Sequence, residues 1–310
     1  MKKSNLTGGA ILCLAALIWG MAFVVQDSVA DKIPPFIFNS IRSFIGAGFL
    51  FSFMGIMSVR DKKFTPVPKD MDKKQLILAG TLCGIMLAVS TNLQQFGIAL
   101  YPDNVPNSAR SGFLTALYVV IVPILSVFVR KRVSAVVWIA AFVALIGFYM
   151  LCLFEGVSGF YLADVLLLCC ALTFSLHIII VDRYCGIVGG VRLSAFQFIV
   201  AGIVSGILAL IFELDAISLK NILDCTWQIL YMGIVSSGIA YTLQIVGQKY
   251  AEPAIASITM SLESVFAALG GWVIKGAALN TNEIIGCTLV FAAIILAQTP
   301  EFFKRKTVSE

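Results

Sequence analysis

The 310-residue chain is 59% hydrophobic and only 13% charged, whereas a soluble domain usually carries about 25% charged residues. This composition indicates an integral membrane protein. The number of domains therefore cannot be estimated from the chain length as it is for soluble proteins. The formal net charge is only +5, and most of the positive residues lie in short loops, so nucleic acid is not an expected partner. Eight cysteines fall almost entirely in apolar segments without a CxxC spacing, so we expect no disulfide framework, metal site or cofactor.

Ten apolar segments follow one another, each long enough to cross the ~30 Å hydrocarbon core of a bilayer as a helix. None alternates polar and apolar residues like a barrel strand, and a helix satisfies its own backbone hydrogen bonds in lipid. The first segment is longer than the apolar region of a signal peptide, so we expect it to be retained. The predicted fold is an all-α membrane protein with ten transmembrane helices. They cover about 7–29, 36–58, 75–99, 105–129, 133–153, 161–181, 193–213, 226–248, 253–275 and 281–299.

The distribution of positive charge predicts the orientation of these helices. Most of the Lys and Arg residues lie in connections on the same side as the N-terminus, and such an excess marks the cytoplasmic side. Both termini are therefore predicted to be cytoplasmic. The longest polar connection, Val59–Lys74, is predicted to be a cytoplasmic loop rather than a domain.

The two halves of the chain align with one another, which predicts five-helix repeats over residues 1–153 and 154–310. An odd number of spans in each half makes the repeats inverted, an arrangement typical of secondary carriers with a midplane substrate site. The aligned pairs have offsets of 155, 150 and near 146: LAALIWGMAFVVQD (14–27) with CCALTFSLHIIIVD (169–182), NLQQFG (92–97) with TLQIVG (242–247), and TALYVVIVP (115–123) with SLESVFAAL (261–269).

Glu263 is the strongest candidate for a substrate-pathway residue. It lies near the middle of the predicted span Pro253–Lys275, and a charge at that depth costs at least ~2.5–3.5 kcal/mol unless it faces a cavity or the protein interior. As a functional group it would bind a substrate amine or exchange a proton. As a structural group it would be a hydrogen-bonded residue that braces helices. Ser257, Ser261 and Ser264 recur beside it at helical spacing and favour close helix contact.

Two arginines lie inside predicted spans. Arg110 is some five residues into the fourth span, where it would bind a substrate carboxylate, pair with Glu263, or extend to the membrane interface. Arg42 has a similar depth in the second span, and a structural ion pair or cap is the favoured interpretation. The repeat offset places Gln197 opposite Arg42, as a second structural residue. Pro123 removes a backbone hydrogen bond in the fourth span and predicts a kink there.

Two polar stripes occur at equivalent positions of the two repeats, which favours cavity lining over simple helix-to-helix hydrogen bonding. In the eighth span the stripe consists of Ser237, Tyr241, Gln244 and Gln248, and in the third span of Thr91 and Gln94 with Asn92 and Gln95 adjacent.

Three further residues are candidates for the pathway. His177 is the only histidine and titrates near neutrality, so it is either a proton-coupling group or a hydrogen-bonded packing residue. Trp19 and Tyr118 are candidate cavity walls, with packing as the alternative.

Several segments resemble the EamA family of the drug/metabolite transporter superfamily: LIWGMAF, FNSIRSFIGAGF, SGFLTALYVVIVPILSVF, ADVLLLCCALTFSLHIIIVDR and PAIASITMSLESVFAALGGW. The resemblance covers essentially the whole chain. It implies a ten-helix carrier that exports amino acids or other small metabolites across a bacterial-type plasma (inner) membrane, with a cavity lined by spans 1, 3, 4, 6, 8 and 9. Where many relatives end spans 4 and 9 with an acidic residue, this chain has Arg130-Lys131 and Lys275-Gly276.

The favoured function is therefore a secondary carrier for a small polar metabolite, an amino acid or a related compound, by alternating access, with export favoured over uptake. The alternatives are a drug-like amine or purine-type substrate, an uptake carrier, and a membrane sensor that does not transport. An enzyme is not expected. The expected partners are a small-molecule substrate, a proton as coupling ion and the lipid bilayer, with the chain as a monomer or homodimer.

Overall fold

The computed structural model describes residues 5–60, 73–101, 107–152, 160–275 and 280–306, so most of the predicted loop Val59–Lys74 lies outside the described residues. Within those ranges the regular structure is helical. The helices are α1 Asn5–Asp27, α2 Pro35–Arg60, α3 Lys73–Ala99, α4 in two segments (Asn107–Ala116 and Tyr118–Phe128), α5 Ala135–Cys152, α6 Leu162–Val188, α7 Gly190–Phe212, α8 in three segments (Thr226–Leu230, Tyr231–Ala240 and Tyr241–Gln248), α9 in two (Pro253–Met260 and Leu262–Lys275) and α10 Thr281–Lys306.

These helices confirm the predicted all-α membrane fold. Eight of them contain stretches long and apolar enough to cross a membrane, and the apolar parts of the other two, Ala135–Met150 in α5 and Thr281–Ala297 in α10, are shorter. Large apolar side chains such as Phe142, Ile207 and Ile295 are exposed on the outside of the bundle. A surface of this kind suits lipid rather than water.

The helix contacts of one repeat recur in the other when each helix of α1–α5 is exchanged for its equivalent in α6–α10, α1 for α6, α2 for α7 and so on. Helix α1 packs on α9 as α6 packs on α4, and α3 contacts α6 and α7 as α8 contacts α1 and α2. Helix α2 packs on α7, its equivalent in the other repeat, and α5 packs in the same way on α10. Because each repeat has five spans, equivalent helices of the two repeats are antiparallel, and the fold has the pseudo-twofold arrangement of inverted repeats.

Helices α4 and α9 are both interrupted at equivalent points. The interruption is at Leu117 in α4 and at Ser261 in α9, where an i→i+3 hydrogen bond follows, Val120 N to Leu117 O and Ser264 N to Ser261 O. The hydroxyl of Ser261 donates to the carbonyl of Ile258 at 2.7 Å, and such bonds bend helices. These interruptions differ in residue number by 144, slightly less than the offset near 146 that the sequence alignment predicts.

Pro123 is buried within the second segment of α4, and the segment continues through it. The interruption of the α4 helix lies six residues before Pro123, at Leu117. Serine and threonine side chains and a local i→i+3 turn are enough to interrupt a membrane helix without proline, and α9 shows this at Ser261.

Helix α8 contains a π-helical segment over Tyr231–Ala240. A π-helix has i→i+5 hydrogen bonds, so the spacing along one face increases from four residues to five. The residue one turn before Tyr241 on that face is then Ser236 rather than Ser237.

Gly20 sets the distance between α1 and α9. A Cβ atom there would lie 2.4 Å from Phe266 Cβ and 2.8 Å from the carbonyl oxygen of Glu263. We expect Gly20→Ala to lower the melting temperature of the purified protein, because overpacking costs ~1–3 kcal/mol. Gly48→Ala in α2 is the matched control, since nothing lies within 4 Å of that position. Equal melting temperatures for the two variants would contradict close packing at Gly20.

Candidate functional site

A cavity lies where the two repeats meet, among α1, α2, α3, α4, α6, α8 and α9. It contains about 510 Å³ of space not occupied by protein atoms, including open solvent. Mostly apolar walls with a few polar groups are typical of a small-molecule site. Its lining residues are Trp19, Ala22, Phe23, Gln26, Arg42, Gln94, Thr115, Tyr118, Phe174, Ile178, Ser236, Tyr241, Gln244, Met260 and Glu263.

Glu263 and Tyr118 connect the two interrupted helices across this cavity. The hydroxyl of Tyr118 donates a hydrogen bond of 2.8 Å to Oε1 of Glu263. Tyr118 is the first residue after the interruption of α4, and Glu263 is the second residue after that of α9. The predicted candidates Glu263 and Tyr118 therefore lie together, one from each repeat.

Arg42 also lines the cavity, although the sequence favours a structural ion pair or cap for it. Arg42 is 4% exposed, and the centroid of the Phe38 ring lies 5.7 Å from the Cζ atom of Arg42. Among the described residues, no carboxylate forms an ion pair or hydrogen bond with its guanidinium. The favoured structural ion pair is thus not observed in the described part of the chain. The depth of a residue in a span does not indicate which neighbour it faces.

The predicted residues Trp19 and Tyr241 form an aromatic wall. Their ring centroids lie 4.7 Å apart in an edge-to-face arrangement, and Trp19 Nε1 donates to the carbonyl of Ser236 at 3.4 Å. Gln94, from the third-span stripe, lines the cavity and accepts a hydrogen bond of 3.2 Å from Nε2 of Gln26. These contacts give the cavity flat apolar faces with amide groups between them.

The other residues of the third-span stripe lie outside this lining. Asn92 and Gln95 bond to other helices, whereas the Thr91 side chain bonds within its own helix. Asn92 donates to Ser205 of α7 at 2.8 Å and accepts from Asn39 of α2 at 2.9 Å. The hydroxyl of Thr91 donates to the carbonyl of Leu87, and Nε2 of Gln95 donates to the carbonyl of Gln26. Gln94 is thus the member of this stripe that lines the cavity.

In the eighth-span stripe, Tyr241 and Gln244 line the cavity, while Ser236 does so in place of the predicted Ser237. Ser237 is buried, and its hydroxyl has no hydrogen-bond partner among the described residues. The π-helical segment accounts for the difference, because it rotates the preceding turn by one position.

We therefore expect a cysteine at 236, but not one at 237, to react with a water-soluble thiol reagent. The two single-cysteine variants, Ser236→Cys and Ser237→Cys, would be made in a chain whose eight native cysteines are replaced. Labelling is followed by mass spectrometry on the purified protein. Faster labelling at 237 would contradict the π-helical register.

Arg110 lies outside the cavity lining and pairs with Asp164 at the start of α6. Its Nε and Nη2 atoms donate to the two carboxylate oxygens at 2.7 and 2.6 Å. The hydroxyl of Tyr101 donates to Asp164 at 2.6 Å, and the Tyr161 ring centroid lies 5.1 Å from Arg110 Cζ. The two side chains are 8% and 2% exposed. The ion-pair partner of Arg110 is therefore Asp164 and not Glu263, which is one of the alternatives that the sequence leaves open for it.

His177 and Gln197 form a buried pair between α6 and α7, with Nε2 of His177 3.0 Å from Oε1 of Gln197. Neither residue belongs to the cavity lining. The histidine ring packs edge-to-face against Tyr241, with ring centroids 6.2 Å apart. His177 is thus behind the aromatic wall rather than part of it.

Several lining residues, among them Gln26, Thr115 and Phe174, are not among those predicted from the sequence. Gln26 is seven residues after Trp19, two helical turns along the same face of α1. This spacing is a signal that would have identified Gln26. Thr115 and Phe174 carry no comparable signal.

Comparisons with known proteins agree with this fold. The profile of the EamA-like transporter family matches residues 6–153 and 161–299. An uncharacterized transporter from Archaeoglobus fulgidus is 30% identical over 295 residues, 92% of this chain and 83% of that protein. The uncharacterized transporter YoaV of Bacillus subtilis (strain 168) is 22% identical over 297 residues, 94% of this chain and 96% of YoaV.

A protein of known crystal structure superposes with a TM-score of 0.75 over 95% of this chain and 97% of its own, at 18% identity. This likeness concerns the fold alone. The family profile covers both halves, and the relative at 30% identity covers most of the chain. The chain therefore belongs to the EamA-like transporter family of the drug/metabolite transporter superfamily, and it is a multi-pass membrane protein.

Proposed function

We propose that the chain is a secondary transporter that moves a small polar metabolite, an amino acid or a related compound, by alternating access. The observation that carries the proposal is the hydrogen bond of 2.8 Å between Tyr118 and Glu263. It joins an interrupted helix of one repeat to an interrupted helix of the other, at the wall of a cavity between them. Inverted repeats with broken helices at a shared midplane site suit alternating access.

Glu263 has the chemistry that such a carrier needs. Its carboxylate would bind a substrate amine in one state and exchange a proton in another, and Tyr118 would hold it in position between these events. Burial among α1, α4 and α9 separates this group from lipid, so the charge is tolerated only because the cavity admits water or substrate. A proton is the proposed coupling ion.

The membrane and direction belong to the same proposal. We propose a bacterial-type plasma membrane, both termini in the cytoplasm, and export as the direction. The excess of Lys and Arg in connections on the N-terminal side supports this orientation.

Flux into proteoliposomes tests the proposal. Purified protein is reconstituted, a pH gradient is imposed, and the uptake of radiolabelled amino acids is compared with that of protein-free liposomes. We expect uptake of at least one amino acid, which is lost when a protonophore collapses the gradient. Correctly inserted protein that moves no amino acid, amine or purine would favour a sensor and contradict the proposal.

A further inference from the structure

Arg42 is a buried cation with no carboxylate paired to it among the described residues. It lines the cavity and is 4% exposed, and the described part of the chain offers its guanidinium no carboxylate partner. The centroid of the Phe38 ring lies 5.7 Å from its Cζ atom. A ring face attracts a cation, but it does not replace a counter-ion.

Arg110, the other arginine inside a span, is paired with a carboxylate and serves as the comparison for Arg42. Two of its nitrogen atoms bond to the two carboxylate oxygens of Asp164, at 2.7 and 2.6 Å. The guanidinium fork of an arginine matches a carboxylate in this bidentate way. Arg42 has the same fork at the wall of a cavity, and no carboxylate of the described ranges bonds to it.

The one carboxylate in the described lining, Glu263, does not neutralise Arg42. It accepts a hydrogen bond from Tyr118 and forms no ion pair with Arg42. An acid and a base thus line one cavity as separate groups. Since a buried unpaired charge is costly, its retention is explained if a ligand supplies the missing anion.

We propose that Arg42 binds the carboxylate of the transported substrate, while Glu263 and Tyr118 receive its amine. Arg42 is then a specificity-determining residue, and the substrate class is a zwitterion with a free carboxylate. A monoanionic carboxylate suits the site better than a phosphate dianion, because Glu263 adds negative charge to the same cavity. The inference rests on the proposed carrier function and deepens it.

Two measurements on Arg42→Gln and Arg42→Lys test this assignment, with Arg183→Gln as the matched control on an exposed arginine. The first is the melting temperature without substrate, in sodium acetate and in sodium chloride at equal ionic strength. Because the substitution breaks no ion pair among the described residues, Arg42→Gln should melt at or above the wild-type temperature in chloride. Acetate should stabilise wild type more than Arg42→Gln.

The second measurement is proteoliposome uptake of amino acids and of their carboxamides, which lack the negative charge. We expect wild type to prefer the acid at least tenfold, Arg42→Gln to lose that preference, and Arg42→Lys to keep part of it. The control Arg183→Gln should behave like wild type.

The outcomes separate the inference from the function on which it rests. Uptake by Arg42→Gln with the wild-type preference for acids would overturn the inference and leave the carrier intact. A large fall in the melting temperature of Arg42→Gln in chloride would also overturn it, because it would make Arg42 a structural brace. If wild type moves no compound, the proposed function fails, and the acetate comparison still decides the role of Arg42: a wild-type-specific shift supports anion binding and equal shifts contradict it.

Discussion

Replacing Glu263 by Gln should abolish proton-driven uptake in proteoliposomes while the protein remains folded. The amide keeps the size of the side chain and accepts the hydrogen bond from Tyr118, so the contact between α4 and α9 survives. It carries no negative charge and cannot exchange a proton. A hydrogen bond to a charged group is worth ~1.5–3 kcal/mol, so we expect substrate affinity to fall by about 10–100-fold.

Glu283→Gln is the control for this experiment. Glu283 lies at the start of α10, outside the cavity, where its Oε2 accepts from the backbone N–H of Asn280 at 2.7 Å. A glutamine oxygen makes the same bond, so flux should be unchanged. Normal proton-driven flux in well-folded Glu263→Gln protein would remove Glu263 from the substrate pathway.

Replacing Arg110 by Met should strongly destabilise the protein. Asp164 would keep its charge with a side chain that is 2% exposed, and breaking a buried ion pair from one side costs ~3–5 kcal/mol. The melting temperature of Arg110→Met should therefore fall well below that of wild type. The second change Asp164→Asn should restore most of the loss, because an asparagine oxygen accepts from the backbone N–H of Tyr161, 2.8 Å away in wild type.

The substrate preference of the double variant distinguishes structure from function at Arg110. Since Arg110 lies outside the cavity lining, the folded double variant should bind carboxylate-bearing substrates with wild-type affinity. A selective loss of affinity for carboxylates, without a loss of stability, would support a place for Arg110 in the substrate pathway.

The helices and much of the cavity wall could be predicted from the sequence, because both depend on local patterns. Twenty apolar residues suffice to mark a span, and the polar positions Glu263, Tyr241 and Gln244 are conspicuous within such spans. All three line the cavity. The interior location of Glu263 follows from the cost of a charge in lipid, which does not depend on knowing its neighbours.

The surroundings of the two arginines could not be predicted, because they depend on helices that are far apart in the chain. Arg42 and Arg110 have similar depths in their spans, yet Arg110 faces Asp164 on α6 and Arg42 faces the cavity. Ser237 illustrates a different failure. Its spacing to Tyr241 is correct for an α-helix, but the segment before Tyr241 is π-helical, so Ser236 lines the cavity instead. No residue pattern in the sequence predicts that π-helical segment.

The most direct test of the account is the labelling of a single cysteine at position 236 from each side of sealed vesicles, with a thiol reagent that does not cross the membrane. If the cavity between the repeats opens alternately to both sides, right-side-out and inside-out vesicles should both label Ser236→Cys. Bound substrate should change the two rates. Labelling from one side only, unaltered by substrate, would contradict alternating access through this cavity.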